Sequence, residues 1–562
     1  MEENNVEQEE LKYRKKINIR FEIIAIICIC FFAFAIVGRT LQNDTYYTIT
    51  LGEHVINNWI DMKEHYAWHE GLQYTYPHWL YDIGIYLFYN LYGFEGVYIS
   101  TIILSIFLGL SIYFTSAKLS NNKLVAFITT LLALYFGRGF ITARAQLVTF
   151  ILFVLEIYCI EQFLNTKKKR YVFGLIAIPI AIANIHAAVF PVYFIFYLPY
   201  IAEYLLATLY KSDILNRIFL RIDKIDLNIT SKKENIKYEE KIAKLEKRIA
   251  INEGRIALRK SHIDEKLDEF TKIRIIRNSN TKWLIIIMII CIFTGLITPI
   301  GDTPYTYLYN TMVGNTTQSI NEHLPIILYN NKPALISIAL IVIAIAFTKV
   351  KISLSDIFML GGVIFLTIMS RRQFSLLLFI GVIPFVKIIN EIFDIYDKNG
   401  TIELMEYISK ILGQIVTYSF IGIIVFMMLK QEIKNPIVDE KSYPVAACDF
   451  ILEELDVDNI KIYNDYNYGS YLMFRGIPVF IDSRADVYDP KFNGLEDDIF
   501  TDYLSLTNLN TDYEEKFKHY GVTHVMTYKS AKLNYGLSRD DNYEEIYSDN
   551  EFVIYERLTA DN

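Results

Sequence analysis

The sequence predicts a mainly α-helical protein that crosses a membrane about eleven times and ends in a small α/β domain outside it. Three observations support this fold class. Of the 562 residues, 53% are hydrophobic, and the mean hydropathy is positive, which is too apolar for an ordinary soluble protein of this length. Several apolar stretches approach or reach the length needed to cross a hydrocarbon core of about 30 Å. After residue 430, short β-like runs alternate with helical stretches, as in a small α/β fold.

The first apolar stretch is predicted to be a retained span and not a signal peptide, because no small-residue cleavage site follows it. Ten further apolar stretches follow along the chain. The predicted spans are 21–38, 96–115, 124–138, 145–164, 171–187, 188–206, 283–300, 334–348, 355–369, 374–389 and 411–429.

The distribution of lysine and arginine predicts the orientation. The tail 1–20 is basic next to the first span, which places the N-terminus in the cytoplasm. The first outer loop, 41–95, has one lysine and no arginine against seven acidic residues, as expected of an outside loop. An odd number of spans then places residues 430–562 outside, after a transmembrane domain of residues 21–429. Loops predicted to be inside all contain lysine; they are 118–123, 167–170, 207–282, 349–351 and 390–410.

The cytoplasmic insert 207–282 has a helical stripe with a spacing of seven residues. Asn252 and Arg259 interrupt the seam, so either a docking arm or a solvated helical hairpin fits this pattern. The apolar positions of the stripe are Ile242, Ile249, Ile256, Ile263 and Phe270.

The outer α/β domain is acidic and has no nucleic-acid-binding motif, which argues against a nucleic-acid partner. Four of the five cysteines lie in apolar helices, so no disulfide framework is available to this domain.

Polar residues at the outer ends of the predicted spans are the candidates for function, since ionisable groups at a membrane are costly to keep. Two acids, four arginines, two histidines and one asparagine are expected to face the same layer. This set suits an anionic lipid headgroup and the removal of a proton. Its members are Asp44, Arg138, Arg144, Asn184, His186, Glu322, His323, Arg371 and Arg372.

The location restricts the chemistry. The outer side of a membrane lacks nucleotide sugars, so a sugar-transferring enzyme there needs a donor delivered by the lipid, such as a sugar on a polyprenyl phosphate. Arginines can stabilise the departing phosphate, and one carboxylate can act as the base for an acceptor hydroxyl. A glycoside hydrolase would more typically need two carboxylates about 5 to 10 Å apart.

The chain resembles the GT-C class of integral-membrane glycosyltransferases, which use polyprenyl-phosphate sugars. Within that class it is similar to bacterial membrane proteins with an arginine loop, an N-x-H turn and an outer domain. The matching stretches cover most of the chain outside 207–282, and four positions differ from the pattern: Ala145, Thr298, His323 and Ser483. The stretches are ARAQL, NIHAA, TPIGDTPY with INEHLP, SRRQF, NDYNYGSYL and FIDSRADVY.

The resemblance implies that Asp44, soon after the first span, is the catalytic base and that the first outer loop forms amphipathic helices along the membrane. Asp44 as a helix N-cap is the alternative. Arg144, Arg371 and Arg372 are expected to hold the donor phosphate, with lipid anchoring as the alternative. The pocket is expected to contain Arg138, Asn184, His186, Glu322 and His323.

Several alternatives stay open at this stage. His186 suits a hydrogen-bonded packing role, and no metal site is assigned, although a divalent cation at Glu322 and His323 is left open. The FIDSRADVY loop suits either acceptor recognition or a salt-bridged structural role.

The predicted function is therefore inverting sugar transfer at the cell membrane, from a polyprenyl-phosphate donor to an envelope glycan or protein acceptor. Membrane lipids are the expected surroundings. The alternative is a non-catalytic transporter of lipid-linked glycans or an assembly scaffold. A transporter would more typically have interrupted helices and ionisable residues near mid-membrane.

Overall fold

The computed structural model describes residues 2–212, 214–231, 236–261, 272–314, 316, 320–397 and 399–558. Each of the eleven predicted spans overlaps at least one helix. The helices up to residue 432 are α1 (Glu2–Ala35), α2 (Asn43–Asn58), α3 (Trp79–Ser120), α4 (Lys123–Gly137), α5 (Ala145–Thr166), α6 (Lys169–Ile185), α7 (Phe190–Ile195), α8 (Leu198–Ser212), α9 (Ile214–Ser231), α10 (Ile236–Ser261), α11 (Thr281–Ile292), α12 (Thr303–Val313), α13 (Lys332–Ala346), α14 (Leu354–Met369), α15 (Phe374–Phe379), α16 (Val382–Tyr396), α17 (Gly400–Ser409) and α18 (Ile411–Glu432).

Among the described residues, six helices are long and apolar enough to cross a membrane. A seventh candidate is the segment Arg371–Phe379 with Val382–Tyr396, whose two parts are bent by 44°. Shorter apolar helices cover three other predicted spans, at Thr281–Leu296, Lys332–Ala346 and Leu354–Met369. The protein is thus a multi-pass membrane protein, and the count of eleven crossings stays a prediction.

The first outer loop folds into two packed helical segments. α3 bends at Tyr92 and Gly93, where the backbone is not helical, so its first part, 79–91, belongs to the loop and its second part to a predicted span. α2 packs on this first part at Gly52, where a Cβ atom would lie 2.1 Å from the carbonyl oxygen of Asp82. The loop is therefore helical, as expected, but α2 is largely buried between α3 and the outer domain, and a position along the membrane surface stays a prediction.

The insert contains α9 and α10, which pack against each other. Ion pairs join the two helices, among them Lys224 to Glu253 at 2.6 Å and Lys241 to Asp226 at 3.0 Å. This arrangement fits a solvated helical hairpin. Ile263 and Phe270, two positions of the predicted stripe, lie outside the described residues.

The outer domain contains a four-stranded sheet of order β3-β4-β6-β5, in which β3 and β4 are parallel and the other neighbours are antiparallel. A separate parallel pair joins β1 (Ile273–Arg274) to β2 (Ile352–Ser353). The sheet strands are β3 (Ile462–Tyr463), β4 (His524–Tyr528), β5 (Tyr543–Ser548) and β6 (Phe552–Arg557). The helices around them are α19 (Val445–Glu454), α20 (Tyr466–Phe474), α21 (Pro490–Asn493), α22 (Ile499–Asn508), α23 (Tyr513–Tyr520) and α24 (Lys532–Leu537).

Two hydrophobic cores organise the protein. One lies among the membrane helices, and the other is shared by the first outer loop and the outer domain. Tyr46 of α2, for example, packs edge-on against Tyr443 and Tyr471, with ring centroids 4.8 and 5.0 Å away. Because these two parts share one apolar core, the outer domain is fixed directly above the ends of the membrane helices that carry the candidate site.

Candidate functional site at the outer end of the helices

Asp44, Arg144 and Glu322 meet at one end of the helical bundle, the end that the sequence predicts to be outside. The Arg144 guanidinium lies 2.8 Å from Oδ2 of Asp44 and 3.1 Å from Oε1 of Glu322. Side-chain exposure is 23% for Arg144, 21% for Asp44 and 48% for Glu322, so the cluster is partly open. Three residues separated by 100 and 178 positions in the chain are thereby brought into one ion-paired group.

Local structure explains these positions. Asp44 is the second residue of α2, whose N-cap is Gln42, and the side chain of Asp44 bonds to Arg144 and does not cap the helix. An acidic residue in a first turn is also favoured by the helix dipole. Arg144 has an extended backbone and immediately precedes α5. The N-cap alternative for Asp44 therefore finds no support.

The opposite charges in this group favour the ionised forms of Arg144 and Glu322. Burial would lower the pKa of Arg144, but the carboxylates of Asp44 and Glu322 raise it above its usual value. Burial would raise the pKa of Glu322, but Arg144 and then Arg372 bring it below its usual value. Nε of Arg144 is buried without a hydrogen-bond partner among the described residues, so this guanidinium retains one unused donor.

Two neighbouring histidines, whose rings are tilted by 52° to each other, lie beside the group. The rings of His78 and His186 are 5.1 Å apart, and Nδ1 of His186 is 2.8 Å from the hydroxyl of Thr149. Burial, with Arg372 and Arg144 nearby, lowers the pKa of His78 to about 3. The His78 imidazole is thus neutral at pH 7. His186 was expected in the pocket, but His78 was not. The feature of the sequence that could have indicated His78 is its position in YPHW, next to a predicted helix start.

The two adjacent arginines point to different surroundings. Arg372 is close enough to Glu322, His323 and His78 to shift the pKa of each, whereas Arg371 is exposed. The backbone fixes this segment, since the amide of Arg372 donates to the carbonyl of Glu322 at 3.0 Å. No hydrogen bond or ion pair from the Arg372 guanidinium to another described side chain is present. Arg372 is therefore the arginine whose charge is available to a ligand at this site.

Two expected pocket residues have other contacts. The Arg138 guanidinium lies over the ring of Tyr135, 4.8 Å from its centroid, and is exposed. The Asn184 amide donates to the carbonyls of Ile180 and Ile297, at 2.8 and 2.9 Å, and so ties α6 to the segment after α11. His323 is half-buried beside Glu322, and its pKa is lowered by burial and then by Arg372.

The outer domain contributes an acid to this region. Asp486 lies near Tyr47 of α2 and accepts a hydrogen bond from Tyr307 of α12. Burial raises the pKa of Asp486 to about 6, although Tyr307 and Arg484 act in the opposite direction. Tyr47 is in turn close to both Asp44 and Arg144. Sequence reasoning left the loop that contains Asp486 open between acceptor recognition and a structural role, and only the docking of the domain brings Asp486 next to the site.

The rest of the FIDSRADVY loop has a structural role. Arg484 forms a two-pronged ion pair with Glu64 of the first outer loop, at 2.6 and 2.9 Å, and both side chains are 1% exposed. Arg484 also bonds to Asp482, which accepts a further hydrogen bond from Tyr488 at 2.6 Å. The salt-bridged interpretation of this loop thus fits its contacts, and the loop joins the outer domain to the first outer loop.

The carboxylates of Asp44 and Glu322, as they are placed, leave no room for a divalent cation between them. Arg144 lies between the carboxylates of Asp44 and Glu322, which leaves that position already occupied by a positive charge. The Asn184 amide nitrogen and His186 Nδ1 are engaged elsewhere. Within the part of the chain that the structure describes, a group of three potential metal-ligating side chains occurs in the first outer loop instead, at His54, Asp61 and His65.

Comparison with known proteins shows the fold. The chain is similar to the apo oligosaccharyltransferase of Archaeoglobus fulgidus, with a TM-score of 0.54 and 12% identity over 90% of this chain and 69% of that one. It is also similar to the oligosaccharyltransferase AglB of the same organism in complex with an inhibitory peptide and a dolichol-phosphate, with a TM-score of 0.51, 11% identity and the same coverage. No family model and no curated protein matches the sequence. The architecture is thus that of a GT-C-type membrane protein, as the sequence predicted.

Proposed function

We propose that the protein is a membrane glycosyltransferase that moves a sugar from a polyprenyl-phosphate donor to an acceptor hydroxyl at the outer face of the membrane. The acceptor belongs to the cell envelope or is a secreted glycan or protein. The observation that supports this most directly is the group of Asp44, Arg144 and Glu322 with Arg372 beside it, at the outer end of the helices. Fold similarity adds support, since one neighbour holds a dolichol-phosphate, itself a polyprenyl phosphate.

The proposed reaction is a single displacement. The acceptor oxygen attacks the anomeric carbon, the bond from that carbon to the phosphate oxygen breaks, and the electron pair leaves with the phosphate. The acceptor proton passes to the Asp44 carboxylate, which is therefore the catalytic base. Attack from the side opposite the phosphate inverts the anomeric centre.

Each charged neighbour has a separate role in this proposal. Arg144 orients the Asp44 carboxylate through their 2.8 Å ion pair. Arg372 holds the donor phosphate, because its guanidinium is not engaged with another described side chain, is only partly buried and lies close to Glu322 and His78. The neutral imidazole of His78, beside the ring of His186, lines the same region without adding positive charge that would hold the phosphate after transfer.

The proposal predicts that Asp44→Asn abolishes transfer while the protein still folds. Asparagine keeps the size and can still accept a hydrogen bond from Arg144, but it cannot take up a proton. Loss of a general base reduces rates by about 10²–10⁴-fold. The measurement is transfer of a radiolabelled sugar from polyprenyl phosphate by the purified protein in detergent, with the melting temperature recorded for each variant.

Asp541→Asn is the matched control. It replaces an aspartate by asparagine in the same way, but at an exposed position in the outer domain. Wild-type rates for Asp44→Asn would refute the base assignment. Mass spectrometry of lipid that purifies with the chain tests the transporter alternative. A polyprenyl-phosphate sugar supports the enzyme, whereas an intact polyprenyl-diphosphate oligosaccharide without transfer activity favours transport.

A further inference from the structure

The first outer loop holds a cluster of two imidazoles and one carboxylate, at His54, Asp61 and His65. One ligand atom from each residue lies within 4.8 Å of the others. His54 is in the last turns of α2, and the other two follow in the irregular segment after it. The imidazole rings of His54 and His65 are stacked with centroids 4.8 Å apart. Nitrogen and oxygen donors of this kind are typical ligands of Zn²⁺.

We propose that His54, Asp61 and His65 bind a divalent transition-metal ion, with Zn²⁺ as the best match, and that this ion braces the first outer loop against the outer domain. Two imidazoles favour a first-row transition metal over Mg²⁺ or Ca²⁺, which prefer oxygen ligands. The fourth coordination position faces solvent, since Asp61 and His65 are 37% and 38% exposed, and a water molecule completes a tetrahedron there.

The buried imidazole gives an independent reason for a ligand. His54 is 9% exposed, and its Nε2 atom has no hydrogen-bond partner among the described residues. A buried polar atom without a partner carries an energetic cost, and such atoms in native proteins commonly contact water or an ion. A proton shared by His65 and Asp61 would explain their 2.6 Å contact, but it would leave His54 unsatisfied. A metal ion satisfies all three side chains.

The surroundings supply the outer contacts that metal ligands need. Nδ1 of His54 faces the side-chain amide of Asn58 at 3.5 Å, and the amide oxygen can accept the Nδ1 proton once the amide is turned. Oδ1 of Asp61 accepts hydrogen bonds from the Lys63 amide at 3.1 Å and the Tyr76 hydroxyl at 3.4 Å. These contacts leave Oδ2, the atom that faces His65, for the metal.

Metal entry requires only small movements. Ligands at about 2.0–2.1 Å from a tetrahedral zinc ion lie roughly 3.3 Å from one another. The His65–Asp61 contact therefore opens from 2.6 Å, and the proton between them leaves to solvent as the ion enters. The longer separations in the cluster close by rotation of exposed side chains.

The position of the cluster gives it a structural role and separates it from the proposed reaction centre. His54 follows Asp44 by ten residues on the same helix, which is about 15 Å along its axis. Glu64 lies between the two loop ligands, Asp61 and His65, in the chain, and it forms the buried ion pair with Arg484 of the outer domain. An ion that fixes residues 61 and 65 therefore holds the segment on which this domain contact depends.

The test uses the full-length chain in detergent, freed of metal by a chelator and without a histidine tag, with ZnCl₂ as the probe. Equilibrium dialysis is expected to give one tightly bound Zn²⁺ per chain, and Zn²⁺ is expected to raise the melting temperature. His65→Gln is expected to weaken binding at least tenfold and to abolish the thermal shift, since it removes one of three protein ligands. His65 is 38% exposed, so this variant should fold.

His519→Gln is the matched control, because His519 is an exposed histidine paired with Asp497 at 3.1 Å and lies outside the cluster. It is expected to bind Zn²⁺ as wild type does. Unchanged Zn²⁺ binding by His65→Gln would overturn the proposal, and so would an absence of micromolar binding to the wild-type chain. Loss of binding in Glu322→Gln with retention in His65→Gln would also overturn it, since the ion would then belong to the Asp44 region.

Discussion

At the scale of single residues, adjacent arginines provide a test of the donor site. Arg372 lies near Glu322, His323 and His78, whereas Arg371 is exposed. A charge-assisted hydrogen bond to a phosphate contributes about 1.5–3 kcal/mol, so Arg372→Gln should reduce kcat/KM for the donor roughly 10–100-fold. Arg371→Gln, the neighbouring control, should change it little. Equal losses in the two variants would contradict the assignment of the phosphate to Arg372.

The carboxyl of Asp486 predicts a pH dependence of stability. Burial raises its folded-state pKa to about 6, above the value of about 3.9 expected in an unfolded chain. The folded state therefore holds this proton more tightly, and its contribution to stability is present below pH 4 and is lost as the pH rises through about 6. Above pH 6 the folded protein contains an ionised group in an unfavourable place.

Asp486→Asn removes that penalty. The melting temperature of this variant relative to wild type should therefore be higher at pH 8 than at pH 4, where the protonated acid and the amide behave alike. Thermal unfolding of the solubilised protein between pH 4 and 8 measures the difference. Asp541→Asn, at an exposed position, should give a difference that does not vary with pH. A flat profile for Asp486→Asn would contradict the raised pKa.

At the scale of elements, the contact between α2 and the first part of α3 depends on a glycine. A Cβ atom on Gly52 would lie 2.1 Å from the carbonyl oxygen of Asp82, and 2.7 Å from Cβ of Tyr86. Gly52→Ala should therefore separate the two helices and destabilise the protein by more than about 1–3 kcal/mol, the usual cost of overpacking. Because α2 carries Asp44 at its other end, transfer activity should fall as well.

Gly84→Ala is the control within the same helix pair. A Cβ at Gly84 has no neighbour within 4 Å, and alanine is favoured over glycine in a helix by up to about 1 kcal/mol. This variant should be as stable as wild type or slightly more so. Thermal unfolding of both variants tests the pair, and equal stability of the two would show that the helices pack less closely than the geometry indicates.

At the scale of the whole molecule, the outer domain is held to the first outer loop by a shared apolar core and a buried ion pair. Removing one partner of such a pair typically costs about 3–5 kcal/mol, because a charge is left buried and unpaired. Arg484→Met leaves the carboxylates of both Glu64 and Asp482 without their cation. Glu64→Gln leaves Arg484 still bonded to Asp482 at 2.6 Å.

Arg484→Met should therefore destabilise the docked domain more than Glu64→Gln does. Hydrogen exchange in α2 and in β3–β6 measures this, since undocking exposes both sides of the interface. Arg539→Gln is the control, because Arg539 stacks on exposed Tyr535 in the outer domain and lies away from this ion pair. Greater exchange in Glu64→Gln than in Arg484→Met would contradict the buried-charge argument.

The sequence by itself determined the membrane class, the helical segments and the residue types at the outer ends of the spans. Those features depend on local hydrophobicity and charge, which can be read directly from the sequence. Only the tertiary structure decided which side chains meet. It paired Asp44 with Arg144 and Glu322, turned Arg372 and not Arg371 to the site, and added His78 and Asp486. The physical reason is that these contacts join residues far apart in the chain, 100 positions for Asp44 and Arg144 and 178 for Arg144 and Glu322, and their distances depend on how helices and the outer domain pack.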